Sequence, residues 1–267
     1  MKLKEIIKIA ESDFPLTLAF DRDNVGLLVG DGESEVKKLL FTCDVDEGVV
    51  NEAVKIGADT IISHHPLMFF KVGRMTEANP EQRAIRLMIK NNINLYSAHT
   101  NLDAANGGIN DYMASLLKMK DTAVVDVTAE TDGVKHGFGR VGFLEKPLTL
   151  KELMNTVIKT FNADGLRYAG DENRLVKKLA VNTGGGADIL YDCIDMGCDV
   201  LITGDIKYNG YRDAAERGMA VIDLMHFDSE KIVMDFYEKY FSERLTGVEF
   251  AKSKVNVNTV KTYVIKN

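Results

Sequence analysis

Histidine is scarce in this chain, five among 267 residues, and two of the five are neighbours in Ile61-Ile62-Ser63-His64-His65-Pro66. A short run of β-formers carries the two imidazoles to its end, where the proline stops the strand. Ser97-Ala98-His99-Thr100-Asn101-Leu102-Asp103 supplies a third imidazole and a carboxylate, and His226-Phe227-Asp228-Ser229-Glu230 a fourth imidazole and another carboxylate. Nitrogen and carboxylate donors without a thiolate suit borderline divalent ions: zinc, iron, manganese, nickel or cobalt. His64, His65, Asp103, His226 and Glu230 are therefore read as converging on a metal centre. Successive side chains of a strand point to opposite faces, so at a broken strand end His64 and His65 each approach a different ion, which favours two metals over one. His226 and Glu230, four apart, share one face of a helix start. Glu230 is the expected bridging carboxylate. Water acidified by such ions is a nucleophile near neutral pH, and both ions can polarise a substrate. His99 then either orients a ligand or carries the proton, and is the candidate catalytic residue.

Each residue also has a plainer role. A lone strand-end histidine is more often a hydrogen-bonded loop residue, His-x-x-x-Glu recurs on helices by chance, and Asp103 can cap a helix. Joint placement at strand ends lifts the set above these readings. His136, in a Gly-rich turn, reads as a surface residue.

The elements that must position these side chains alternate strand and helix. Lys38 to Asp44, Thr60 to Ser63 and Ile93 to Ala98 read as strands, apolar throughout, as in a parallel sheet covered on both faces. Residues 2 to 12, Glu47 to Ile56, Glu81 to Asn91 and Gly107 to Leu117 read as helices. Farther on, Gly137 to Leu144 and Leu166 to Ala169 read as strands around a helix from Thr149, its N-cap, to Phe161. Ser229 to Leu245 reads as one long helix and Val248 to Val264 as one or two closing strands. In such sheets ligands bind beyond the carboxyl ends of the strands, where all four of these histidines fall.

Laid on itself, the chain repeats. Val36-Lys37-Lys38-Leu39 recurs as Val176-Lys177-Lys178-Leu179, 140 positions on. Without a gap, Gly57 then falls on Gly197, Asp59 on Asp199, Ile62 on Ile202 and Ser63 on Thr203. The expected fold is α/β, two related lobes each with a mainly parallel sheet flanked by helices and the metal site in the cleft between them. The first lobe spans 1–126 and the second 127–267, the tail 246–267 packing back on the first. Where the first lobe has His64-His65, the second has Gly204-Asp205; where the first has Asp44-Val45-Asp46, the second has Gly184-Gly185-Gly186. Thr183 to Asp188 is either an anion-holding loop or a plain tight turn. Asp205 and Lys207 either face a substrate or pair within their loop.

A net charge of -7 argues against non-specific nucleic-acid binding. No apolar run approaches the roughly 20 residues that span a bilayer, and the N-terminus lacks a signal-peptide core. Three cysteines without a Cys-x-x-Cys pair fit buried thiols of a reducing cytoplasm.

Asp23-Asn24-Val25-Gly26-Leu27, Ser63-His64-His65-Pro66, His99-Thr100-Asn101-Leu102-Asp103, Thr203-Gly204-Asp205-Ile206-Lys207-Tyr208 and His226-x-x-x-Glu230 together resemble one family. It is that of the dinuclear-metal-centre proteins known as GTP cyclohydrolase 1 type 2 homologues, or NGG-interacting-factor-three-like proteins. The resemblance implies two α/β lobes, a homo-hexameric ring, and two divalent ions per chain in a cleft facing the interior. It places the ligands on His64, His65, Asp103, His226 and Glu230, and implies metal-dependent hydrolysis of a nucleotide-like small molecule. The alternative is a metal-binding, metal-delivering or regulatory scaffold protein without turnover. The chain departs from the family pattern at Met225, where Gly is usual, at Asp228-Ser229 in place of Ala-Thr, and at Asn209 in place of His.

Overall fold

The computed structural model describes residues 1–70, 72–255 and 258–261. The chain divides into two compact units, Met1–Ala105 with Val233–Val257, and Asn106–Ile232 with Asn258–Asn267. The first begins with α1 (Leu3–Asp13), β1 (Gly26–Val29), β2 (Lys38–Thr42), α2 (Glu47–Ile56), β3 (Thr60–Ser63), α3 (Pro80–Lys90), β4 (Asn94–Ser97) and α4 (Thr100–Ala104). The second comprises α5 (Ile109–Leu116), β5 (Lys120–Thr131), β6 (Val134–Thr149), α6 (Leu150–Phe161), β7 (Arg167–Ala169), β8 (Leu175–Val181), α7 (Leu190–Asp195), β9 (Val200–Thr203), α8 (Tyr208–Glu216), β10 (Ala220–Asp223) and α9 (His226–Glu230). The chain then returns to the first unit as α10 (Val233–Ser242) and β11 (Glu249–Lys252).

The sheet of the first unit runs β1-β4-β3-β2-β11, parallel except for β1 against β4. Every residue of β3 and β4 is buried, the apolar Ile61, Ile62, Leu95 and Tyr96 at their centres and the polar Thr60, Ser63, Asn94 and Ser97 at their ends. α2 starts where the Asp46 carboxylate accepts from the Val49 amide and stops at Gly57, left-handed at φ 68°. α3 starts at Asn79, capping Gln82, with Pro80 in its first turn. Val49, Val50 and Ala53 of α2 and Ala84, Ile85 and Met88 of α3 cover one sheet face against Leu40, Ile61 and Leu95. On the other face Phe41 packs against Tyr237 and Phe241 of α10. Truncating a buried aromatic such as Phe41 to alanine costs about 3–5 kcal/mol.

The second sheet runs β5-β6-β8-β9-β10-β7. Its parallel part is β8-β9-β10, and antiparallel strands flank it on both sides, so it is a mixed sheet where a mainly parallel one was expected. The twelve-residue β5 carries no apolar strand pattern, because it is exposed along nearly its whole length and its valines and threonines are diluted by Lys120, Asp121, Asp126 and Glu130. Thr149 caps α6, its hydroxyl accepting from the Glu152 amide while the Glu152 carboxylate accepts from the Thr149 amide.

The expected single helix from Ser229 to Leu245 is two. α9 buries polar residues, Asp228, Ser229 and Glu230, whereas α10 buries Val233, Phe236, Tyr237, Tyr240 and Phe241 within the first unit. No Gly or Pro marks the break, so periodicity alone runs across it. β11 falls within the expected closing strands; residues 256–257 and 262–264 of that expectation, and 265–267 of the tail, lie outside the described residues. His136 lies on β6 rather than in a turn, and its Nδ1 accepts from the Asn106 amide. Among the described residues no helix is long and apolar enough to cross a membrane. Cys43, Cys193 and Cys198 are buried and in no disulfide.

Candidate metal centre

β3 delivers His64 and His65 on a continuation of its own ladder. The His64 amide donates to the Thr42 carbonyl at 3.2 Å and the His65 amide to that of Cys43 at 2.9 Å, so both rings leave a fixed backbone. β4 ends in the same way at His99, whose amide donates to Asn101 Oδ1 at 3.0 Å, while Asn101 Nδ2 donates to the Phe14 carbonyl. The three rings form a near-equilateral group, with centroids 5.1, 5.2 and 5.2 Å apart. One donor atom from each of His64, His65 and His99 lies within 4.8 Å of the other two.

In all three residues Nδ1 is engaged. His64 Nδ1 meets the Ala98 carbonyl at 2.9 Å, His65 Nδ1 meets Asp44 Oδ1 at 2.8 Å, and His99 Nδ1 meets Asp23 Oδ2 at 2.8 Å. A carbonyl or an ionised carboxylate only accepts, so each Nδ1 carries a proton and each Nε2 is the nitrogen turned toward the group. Asp23 is such an acceptor. Burial alone would raise its pKa, but hydrogen bonds from His99 and from the hydroxyl and amide of Thr100 outweigh burial and hold it well below the ordinary carboxylate value. Asp103, on α4, brings Oδ1 to 3.5 Å from His64 Nε2.

Tyr237 of α10 reaches the same place from below. Its fully buried hydroxyl lies 3.1 Å from the Ala98 carbonyl and 3.2 Å from that of Ser63, tying together the ends of β4 and β3. Burial and the nearby Tyr96, Cys43 and Asp103 push its pKa well up, so it remains a neutral donor.

The second unit builds a smaller group. His226 Nδ1 meets Asp205 Oδ2 at 2.8 Å, and His226 Nε2 lies 3.1 Å from Glu230 Oε2. The glycine loop seats the glutamate: a Cβ on Gly184, at φ +61°, would stand 2.1 Å from Glu230 Oε1. The Gly184 amide donates to Ser229 Oγ and the Gly186 amide to Thr203 Oγ1, both at 2.9 Å. Those amides are spent within the protein, so for them the tight-turn reading applies and not the anion-holding one. Asp205 likewise serves its own unit by holding His226. Met225, which precedes His226, has φ 67° and ψ 155°, backbone that favours glycine. Asp223, wholly buried, restrains it by accepting from the Met225 amide at 2.9 Å and from the Tyr211 hydroxyl at 2.7 Å.

The donors fit a cation. With Nδ1 protonated, His226 Nε2 and Glu230 Oε2 are two acceptors facing each other at 3.1 Å, and His64 Nε2 faces Asp103 Oδ1 likewise at 3.5 Å. Such a pairing is repulsive unless a proton or a metal ion lies between. Imidazoles held through Nδ1 by carboxylate or carbonyl oxygen are the usual environment of metal-ligating histidine. Thus the structure brings His64, His65, His99 and Asp103 together in the first unit, and His226 with Glu230 in the second. Residue spacing did not reveal Asp23, Asp44 and Asp205 as orienters of His99, His65 and His226. The available signal was that a ligating imidazole needs an acceptor for its second nitrogen.

Residues 1–259 match the family model described as Duf34/NIF3 (NGG1p interacting factor 3). The GTP cyclohydrolase 1 type 2 homolog of Clostridium perfringens is 40% identical over 255 residues, covering 95% of this chain and 97% of that one. The crystal structure of the Staphylococcus aureus hypothetical protein SA1388 matches with TM-score 0.89 at 27% identity, covering 98% of this chain and 99% of that one. Reduced HcgD from Methanocaldococcus jannaschii matches with TM-score 0.78 at 30% identity, covering 94% and 97%. With a family model spanning nearly its whole length and a curated relative at this identity, the chain belongs to the Duf34/NIF3 family.

Proposed function

We propose that this protein holds two divalent metal ions on His64, His65, Asp103, His226 and Glu230 and hydrolyses a nucleotide-like small molecule. The observation that carries this is the same in each unit: an imidazole anchored through Nδ1 turns its Nε2 toward a carboxylate oxygen. When bound, such ions supply Lewis acidity toward a carbonyl or phosphoryl oxygen and make water nucleophilic near neutral pH. The chain's own part is orientation. Asp44 and Asp205 fix the tautomers of His65 and His226, and Gly184 admits Glu230 close to the backbone. The nucleotide-like substrate is suggested by the name of the C. perfringens relative.

The test is metal-loaded protein assayed against GTP and related nucleotides beside His65→Ala and Glu230→Ala. Turnover lost in both variants supports hydrolysis at this site. Turnover that persists in them comes from a contaminant and removes the claim. Two ions bound with no turnover leaves a metal-delivering or regulatory protein. The ring of six copies is part of the same proposal and is checked by sedimentation equilibrium.

A further inference from the structure

We propose that Cys193 and Cys198 form a reversible redox pair, two thiols that a hydroperoxide converts to an intrachain disulfide, independently of the metal ions. Three observations carry it. The first is contact. α7 ends in a turn in which the Cys198 amide donates to the Cys193 carbonyl at 3.0 Å and the Gly197 amide to that of Ile194 at 2.9 Å, with Gly197 left-handed at φ 69°. Such a glycine-ended stop sets the residue after the glycine against one in the last turn of the helix. The two sulfurs accordingly meet, the Cys193 thiol donating to the Cys198 sulfur. The pair lies at the amino end of β9, away from the strand ends that carry the histidines.

The second observation is what stands in the same place in the first unit. In the repeated frame Cys193 and Cys198 fall on Ala53 and Ala58, 140 positions earlier. The turn there is the same: the Ala58 amide donates to the Ala53 carbonyl at 2.9 Å, and Gly57 has φ 68°. Packing therefore asks only for two small buried side chains, and alanine meets it at both positions. The second unit carries sulfur at both, which packing does not require. The third observation is that the two thiols differ. Cys193 is wholly buried, whereas Cys198 is 5% exposed beside Asp195, Met196 and Gly197, all of them exposed. The hydrogen bond from Cys193 and the Lys178 ammonium hold the Cys198 thiol below its ordinary value against burial, while the same hydrogen bond and burial push Cys193 well up. Cys198 is thus the nucleophile and Cys193 the resolving thiol. The Cys198 thiolate attacks one peroxide oxygen, the O–O bond breaks, and the departing oxygen takes a proton and leaves as water or an alcohol. Cys193 then attacks the sulfur of the Cys198 sulfenic acid. The S–S bond forms as the S–O bond breaks, and the hydroxyl leaves with the Cys193 proton as water. The loop closed, residues 193–198, is too short to add much stability, as befits a bond that opens again.

The test is treatment of the folded, full-length protein with hydrogen peroxide, followed by alkylation, trypsin and mass spectrometry. Both cysteines fall on one tryptic peptide, residues 179–207. In the wild type this peptide should escape alkylation and lose two hydrogen atoms, and dithiothreitol should restore both thiols. The oxidised protein should keep its circular dichroism and melt no lower than the reduced one. Cys193→Ala and Cys198→Ala give the second unit the alanines that the first already carries, so both variants should fold. In Cys193→Ala, dimedone should trap Cys198 as its sulfenic acid. In Cys198→Ala, Cys193 should react with peroxide at least about tenfold more slowly than Cys198 does in the other variant. A wild-type peptide that stays fully alkylated, that gains oxygen without losing hydrogen, or that is joined to Cys43 overturns the pair. So does a disulfide that forms only as the protein unfolds. Equal rates in the two variants overturn the division of roles.

Discussion

The βαβ segments of the two units share a backbone frame down to single hydrogen bonds. The carboxylate of Asp59 accepts from the amides of Lys37 and Lys38, and that of Asp199 from Lys177 and Lys178. The Lys38 ammonium donates to the Ile56 carbonyl, and the Lys178 ammonium to that of Met196. Gly57 and Gly197 end their helices at φ 68° and 69°. The Ala98 amide donates to Ser63 and the Leu224 amide to Thr203, so that His99 corresponds to Met225 and α4 to α9 in the repeated frame. The chemistry differs only beyond the strand ends. In the first unit position 65 is the imidazole and Asp44, after β2, its acceptor. In the second, position 205 is the acceptor, the imidazole has moved to α9, and the residue matching Asp44 is Gly184, leaving room for Glu230. Strand interiors answer to packing and ladders, so they repeat; loop ends are free of that demand and carry the divergence.

The sharpest way to break this comparison is Gly184→Ala. The added Cβ meets Glu230 Oε1 and the backbone is left-handed, so Co(II) titration should show metal affinity falling by about a hundredfold. Unchanged metal uptake in this variant would mean that Glu230 holds no ion. Next in size, Asp44→Asn and Asp205→Asn should each weaken metal binding by about 10–100-fold, measured in the same titration.

Tyr237→Phe keeps the aromatic packing on Phe41 but removes the donor shared by the Ser63 and Ala98 carbonyls. We expect a loss of about 1–3 kcal/mol in denaturant unfolding and weaker metal binding. An unchanged midpoint would show that His64 needs no such support. The smallest effect belongs to Met225→Gly. Relief of about 1–3 kcal/mol of backbone strain outweighs roughly 0.5–1 kcal/mol of added chain entropy. Melting should rise by a few degrees; a lower melting temperature would give the larger weight to the Met225 Sδ contact with Arg167.

Much of this was legible beforehand because the carriers of the site are also the carriers of the pattern. β3 and β4 have apolar centres and lead directly to His64 and, through Ala98, to His99, so the same short stretches mark strand and donor. Asp46, Asn79 and Thr149 announce helix starts by local hydrogen bonding alone. What stayed hidden depends on contacts distant in sequence. Asp23 meets His99 across 76 positions and Asp205 meets His226 across 21. Nothing in Asp23 itself distinguishes it from a turn residue. The family preference for Gly before the late histidine acquires its physical meaning only from the φ of Met225.

β11, the last strand described, pairs with β2 along Lys38 to Phe41. During synthesis β2 waits for a neighbour encoded more than 200 residues later. At ribosomal speeds of about 5–20 residues per second, that wait lasts on the order of 10–40 s, with one edge of the nascent sheet still seeking a strand. Residues 106–232 of the second unit are translated in that interval. Maturation of the first unit is thus tied to synthesis of β11, and a chain that stops short of it would leave β2 able to pair with its neighbours.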